Sequence, residues 1–278
     1  MNQSIRVAHL WLALFLLPGL GLATPFAYIP NSGSNNVSVI DTATVTVVAT
    51  VGVGEPTTGV VVNAAGTRVY VANSMHVLVI DTATNNVVAT VPVGINSSGI
   101  TGVAVTPAGT RVYVANSWSQ NVSVIDTATN TVVATVVAGD TPLGVAVNPA
   151  GTRVYVANVF SNNISVIDTA SNTVVATIPV GFNSEPVGVA VDPTGTRVYV
   201  ANQNAFNVSV IDAATNTVVA TANIGLDLPS PRGIAVNPAG TRVCVANGAV
   251  IDTATNTVVA TVPVSGYGIA VNPAGTRV

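Results

Sequence analysis

The tripeptide Val-Ile-Asp returns six times, with its Asp at positions 41, 81, 126, 168, 212 and 252, so the spacings are 40, 45, 42, 44 and 40 residues. Self-similarity at such a period means that one supersecondary unit is repeated and that each unit buries its apolar face against its neighbours. A clean unit is GVAVNPAGTRVYVANVFSNNISVIDTASNTVVATIPVG, from Gly144 to Gly181. It parses into four short β-branched runs: 144–147, 153–157, 164–167 and 173–180. Gly, Pro, Asn or Asp bounds each run, which is the signature of strands joined by tight turns.

The turns carry their own chemistry. In Asn148-Pro149-Ala150-Gly151 the proline presets φ and the glycine accepts a left-handed conformation, as a tight hairpin needs. In Asp168-Thr169-Ala170-Ser171-Asn172 the Asp and Asn side chains can bond nearby amides. Each unit therefore reads as a four-stranded antiparallel meander. Proline in the fourth run, at Pro92, Pro179 and Pro263, fits only an edge strand, which makes that strand the outer one. Such sheets, repeated radially, are the blades of a β-propeller. A solenoid, the alternative, would need polar end caps, and none is evident. Phe26–Asn31 matches a second strand that lacks its own first strand, and 268–271 is a first strand with no complete unit behind it. The expectation is an all-β propeller of six blades, with the C-terminal strand completing the N-terminal blade. On this reading Arg277 lies near Asp41. A seven-bladed or truncated propeller is the alternative.

Composition narrows the function. Hydrophobic residues make up 49 % of the chain and charged residues only 7 %, with no Lys and a net charge of -3. That balance gives no footprint for nucleic acid. Arg6, the apolar run 7–17 and the small residues Gly21 and Ala23 read as a secretory leader over residues 1–23, followed by the propeller over 24–278. The run is shorter than the roughly 20 residues a spanning helix needs, so cleavage with no remaining membrane span is expected, and an uncleaved anchor is the alternative. A location outside the cytoplasm follows: secreted, periplasmic or at the cell surface. Cys244 is the only cysteine, so packing and ring closure, not a disulfide, must hold the fold.

Arg and Asp recur in register: Arg111 with Asp126, Arg153 with Asp168 and Arg197 with Asp212 fall opposite each other in an antiparallel hairpin. Chemistry rarely needs one pair in every blade, so these are read as scaffold. Asn36, Asn121, Asn163 and Asn207 match a glycosylation pattern, but each falls at the same hairpin corner, where turn chemistry accounts for it. Cys244 stands where other units have Tyr, as an inert core thiol. The turns between first and second and between third and fourth strands barely change along the chain. Variation gathers on the opposite face. There the second-to-third loops carry His76, Trp118, Phe160 and Phe206, and the inter-blade loops carry Glu55, Asp140, Phe182, Glu185, Asp227, Arg232 and Tyr267. Loops on a rigid scaffold are where binding resides, so the candidate surface is Glu55, His76, Trp118, Asp140, Phe160, Glu185, Phe206, Arg232 and Tyr267. Glu55, Asp140 and Glu185 could converge on a cation near the channel, but solvated loop charges explain them better. No catalytic residue, metal ligand or cofactor site is assigned.

The YVAN stretches at 70–73, 113–116, 155–158 and 199–202, followed by VSVIDTATNTVVATVPVG-like segments, closely resemble the YVTN-type β-propeller repeats of bacterial exported and archaeal surface-layer proteins. This chain has Ala where the family name has Thr, YIPN in the first copy and CVAN in the sixth. The resemblance implies an envelope or extracellular location and interaction with another surface, with no catalytic residues to carry over. The expected function is a noncatalytic module, monomeric, that binds a protein or glycan at the cell envelope. A purely structural surface component is a further possibility. The rival is a propeller enzyme of lactonase, lyase or quinone-dependent dehydrogenase type with its site at the channel mouth, a chemistry that needs a base, metal cluster or cofactor clamp.

Overall fold

A computed structural model describes residues 13–14, 26–94, 102–264, 266–272 and 274–278. The chain is all-β, with no helix among those residues and none long and apolar enough to cross a membrane. Its strands form six separate four-stranded antiparallel sheets, each a simple meander. The fourth sheet is representative: Pro142–Val147 innermost, then Arg153–Asn158, Asn163–Asp168 and Thr173–Pro179 at the outer edge. Its register sets Arg153 opposite Asp168 and Asn158 opposite Asn163, as the residue arithmetic requires.

Alternation explains what holds the sheets side by side. The second strand, Arg-Val-Tyr-Val-Ala-Asn, is buried on both faces, so its valines turn to one neighbouring sheet and its Tyr to the other. Tyr155 packs with Val198, Val200 and Ile211 of the fifth sheet. Tyr28, Tyr70, Tyr113 and Tyr199 do the same across the other four junctions of consecutive sheets. Burial pushes all five phenols above their ordinary pKa, as expected for rings set in a dry interface. In the sixth sheet the place is held by Cys244, buried, with its thiol pushed up by the same desolvation. It lies in a strand and is an inert core thiol in this environment.

Near the middle of the molecule the inner strands approach backbone to backbone. A Cβ on Gly102, Gly144 or Gly188 would stand 2.2, 2.3 or 2.1 Å from the carbonyl oxygen of Leu143, Val187 or Arg232 in the next sheet. Only glycine permits that spacing. The Asn-Pro-Ala-Gly and Asp-Pro-Thr-Gly turns interlock in the same way, with Gly195 against Pro149 and Gly240 against Pro193.

At the chain ends the structure differs from two expectations. The inner place in the first sheet is filled by Ala13–Leu14, paired with Phe26–Asn31, and 268–271 is not a strand. The segment 266–272 instead lies beside the sixth sheet, where a Cβ on Gly233 would be 2.6 Å from Tyr267 O. Nor does Arg277 pair with Asp41: Phe26 takes the register position opposite that carboxylate, which accepts the amides of Ala43 and Thr44. The rest of the expected leader lies outside the described residues.

Candidate functional site

Successive strands run in opposite directions, so each sheet sends two kinds of turn to each end. At one end stand the near-identical turns. Asp168 Oδ1 accepts the amides of Ala170 and Ser171 and the Ser171 hydroxyl, while Oδ2 takes Arg153. The same set recurs at Asp81, Asp126, Asp212 and Asp252. Hydrogen bonds from the residue three positions on are the main cause that holds these five carboxyls below their ordinary pKa, with the facing Arg adding to it. An open cleft of about 600 Å³ lies at this end between the fourth and fifth sheets, lined in part by Asn148, Arg153, Tyr155 and Asp212. Nothing in the sequence points to this cleft, because its lining is drawn almost entirely from residues that repeat in every unit.

The opposite end carries the varied loops, and three aromatic side chains project there: Trp118 is 72 % exposed, Phe160 64 % and Phe182 98 %. Their loops are tied together across sheets. Gln120 Nε2, two residues past Trp118, donates to Asp140 Oδ1 (3.2 Å). The Asp140 amide donates to Ser161 Oγ (2.6 Å), beside Phe160. One residue further, Asn162 Oδ1 accepts the Glu185 amide (3.0 Å), in the loop that carries Phe182. Asn204 Nδ2 then reaches Asn183 O (3.0 Å) from the fifth sheet. Trp118, Phe160 and Phe182 thus stand on a hydrogen-bonded arc that spans three sheets, with their loops ordered before any partner arrives.

The backbone at this end is also under strain. Phe206 and Glu185 hold φ of 51° and 49°, left-handed values that a bulky side chain rarely adopts. Phe206 is half-buried, and its carbonyl accepts the Ile224 amide, which closes its turn. Beneath the arc, Asn116, Asn158 and Asn202 are fully buried; each donates to the Asn and Ser of the adjoining strand, and its own Oδ1 has no partner among the described residues.

The other candidates divide. Arg232 and Tyr267 are brought together, the guanidinium 4.2 Å from the ring centroid. His76 is not in a loop: it opens a strand opposite Pro92, half-buried, with its amide on Asn73 Oδ1. Glu55 is half-buried, and its Oε2 is shielded with no hydrogen-bond partner among the described residues. Glu55, Asp140 and Glu185 do not converge: among the described residues no three His, Cys, Asp or Glu gather as a metal site. Sequence reading missed the clamps Gln120, Ser161, Asn162 and Asn204, and Leu226, an exposed apolar side chain in the loop after the fifth sheet. Their signal was available in the polar residues that change from unit to unit within otherwise constant turns.

Fold and loops together define a propeller-like repeat β protein. No protein-family model matches the chain, and no curated protein matches it. Among solved structures it is similar to a functionally unknown protein from Desulfotomaculum acetoxidans, at 19 % identity and a TM-score of 0.73, over 92 % of both chains. It is also similar to hydrazine synthase from Kuenenia stuttgartiensis, at 20 % identity and a TM-score of 0.56, over 82 % of this chain and 92 % of that one. At such identities the likeness is one of fold.

Proposed function

We propose that the chain is an exported, noncatalytic β-propeller of the YVTN type that holds a protein or glycan partner at the cell envelope through the arc of Trp118, Phe160 and Phe182. The observation that carries this reading is the arc itself: exposed rings on loops already fixed by inter-sheet hydrogen bonds. Aromatic anchors commonly dominate binding energy, and loops ordered in advance lose little entropy on association. Strained φ values at Phe206 and Glu185 support it, since such strain tends to persist where function needs it.

The test is capture of partners from the protein's own cell envelope, followed by affinity measurement with Trp118→Ala/Phe160→Ala. Loss of affinity by at least about tenfold, a hot-spot-sized effect, is expected with an unchanged melting temperature. Equal affinity in the double variant would remove the arc from consideration.

The same reading takes the exported form as a closed ring of six blades, in which 268–271 replaces Ala13–Leu14 beside the first sheet. In support, Asn272 Oδ1 accepts the amides of Thr276 and Arg277 as Asn237 Oδ1 accepts those of Thr241 and Arg242, and Gly275 meets Pro238 as Gly240 meets Pro193. Hydrogen exchange on a chain lacking residues 1–23 checks it: amides at 269–271 should become protected, and continued fast exchange there would reject closure.

A further inference from the structure

Charge is divided unevenly between the two ends of the sheets. At the constant end it nearly cancels: Arg68, Arg111, Arg153, Arg197 and Arg242 each pair with an Asp on the adjoining strand. Asp41 and Asp192 remain there against Arg277. The varied loops hold Glu55, Asp140, Glu185 and Asp227 against one cation, Arg232, whose guanidinium lies over the Tyr267 ring. None of these four carboxylates has an ion-pair partner among the described residues. The chain has no Lys that could neutralise them.

Two of the acids lie in the arc, interleaved with its rings. Asp140 is tied to Gln120 on the Trp118 side and to Ser161 on the Phe160 side. It is exposed, and both hydrogen bonds its carboxylate accepts fall on Oδ1, so Oδ2 has no donor among the described residues. Glu185 follows Phe182 by three residues and is anchored through its amide to Asn162. Glycine would hold its φ of 49° without strain, yet the position carries a carboxylate.

We propose that the partner of the arc is a protein segment rich in Lys or Arg, whose ammonium or guanidinium groups lie over the rings and beside the carboxylates. The inference rests on the arc being the binding surface and adds the chemistry of what binds there. The face of an aromatic ring attracts a cation, and a carboxylate in the same arc adds Coulomb attraction. Each exposed contact of this kind is weak, so recognition takes several cations in succession along the three sheets. Unopposed negative charge also steers a basic partner in from solution. A neutral glycan stacks on the rings but gains nothing from the carboxylates, and an acidic polymer or anionic lipid surface is repelled by them.

The test is binding of a short lysine-rich peptide to the purified protein at low and high salt, against the same peptide with every lysine acetylated and against a neutral chitin oligosaccharide. Acetylation removes the charge and leaves the backbone as it was. The charged peptide should bind at least about tenfold more tightly than the acetylated one, and salt should weaken it. Asp140→Asn/Glu185→Gln, which keeps the shape of both side chains, should lower its affinity by about tenfold, as should Trp118→Ala/Phe160→Ala. Asp41→Asn, which removes a charge from the constant end, should leave it unchanged. Equal affinity for the charged and acetylated peptides would overturn the inference, and that comparison needs only the wild type. So would equal losses from Asp41→Asn and from the arc acids, which would reduce binding to net charge. Capture of the chitin oligosaccharide in preference to the peptide, lost in Trp118→Ala/Phe160→Ala, would keep the arc and overturn its basic partner. Peptide binding that is lost with the arc acids but intact in the ring variant would overturn the arc itself, and this inference with it.

Discussion

The two ends of the sheets use one backbone geometry for opposite purposes. At the constant end the left-handed turn position is occupied by Asn85, Asn130, Asn172, Asn216 and Asn256, and each carboxylate beside it collects the same donors. At the varied end the corresponding turn position is Asn35, Gln120, Asn162 and then Phe206, each with φ above 50°. Residues at the first end are interchangeable between blades because they answer only to the fold. Residues at the second end differ from one blade to the next while the turn stays fixed, which leaves their outward chemistry free to vary.

The largest effect that can test this division comes from the hub that both ends share. Gly188→Ala forces a Cβ to 2.1 Å from the Arg232 carbonyl, an atom that cannot move without shifting the inner strand of the sixth sheet. Overpacking against backbone should cost about 3 kcal/mol, at the upper end of its usual range, measured by chemical denaturation. Phe182→Ala, at a side chain open to solvent, should stay within about 0.5 kcal/mol of the wild type. Comparable losses from the two would erase the distinction between scaffold and display.

Most of the scaffold was legible in the sequence because period, alternation and turn chemistry all point the same way. Arg153 faces Asp168 in the ladder as residue counting required, and Pro179 falls in an outer strand as its missing N–H demands. The chain ends were less legible. Counting strands shows that 268–271 could complete a blade, but it cannot show that Ala13–Leu14 competes for the same edge, since both are short apolar segments. The candidate face was legible as a location and not as a set of contacts. Trp118 and Phe160 stand out for their type, whereas Gln120 and Ser161 matter because loops from different sheets meet, a long-range fact that no local pattern encodes. His76 was misplaced because the second sheet's turn is short, so the strand starts where other units still have loop.

The smallest expected effect is the most discriminating. Val45 holds φ of 57° at the constant end, where five other sheets have Asn, and its β-branched side chain is exposed and makes no use of the position. Val45→Asn should stabilise the protein by about 1 kcal/mol, the usual cost of the left-handed region for an L-residue, and should leave partner affinity unchanged. Phe206→Asn relieves the same kind of strain at the varied end, so it too should raise stability, by about 0.5 to 1 kcal/mol, offset in part by the apolar contact its half-buried ring gives up. If the two ends differ as argued, the second gain comes with weaker partner capture, because the strained turn sets how the face is presented beside Glu185. Denaturation midpoints and affinities for the two variants, measured side by side, decide it. A stabilised Phe206→Asn with full affinity would mean that its strain is a relic of repeat divergence like that of Val45, and the fifth sheet's loop would leave the binding surface.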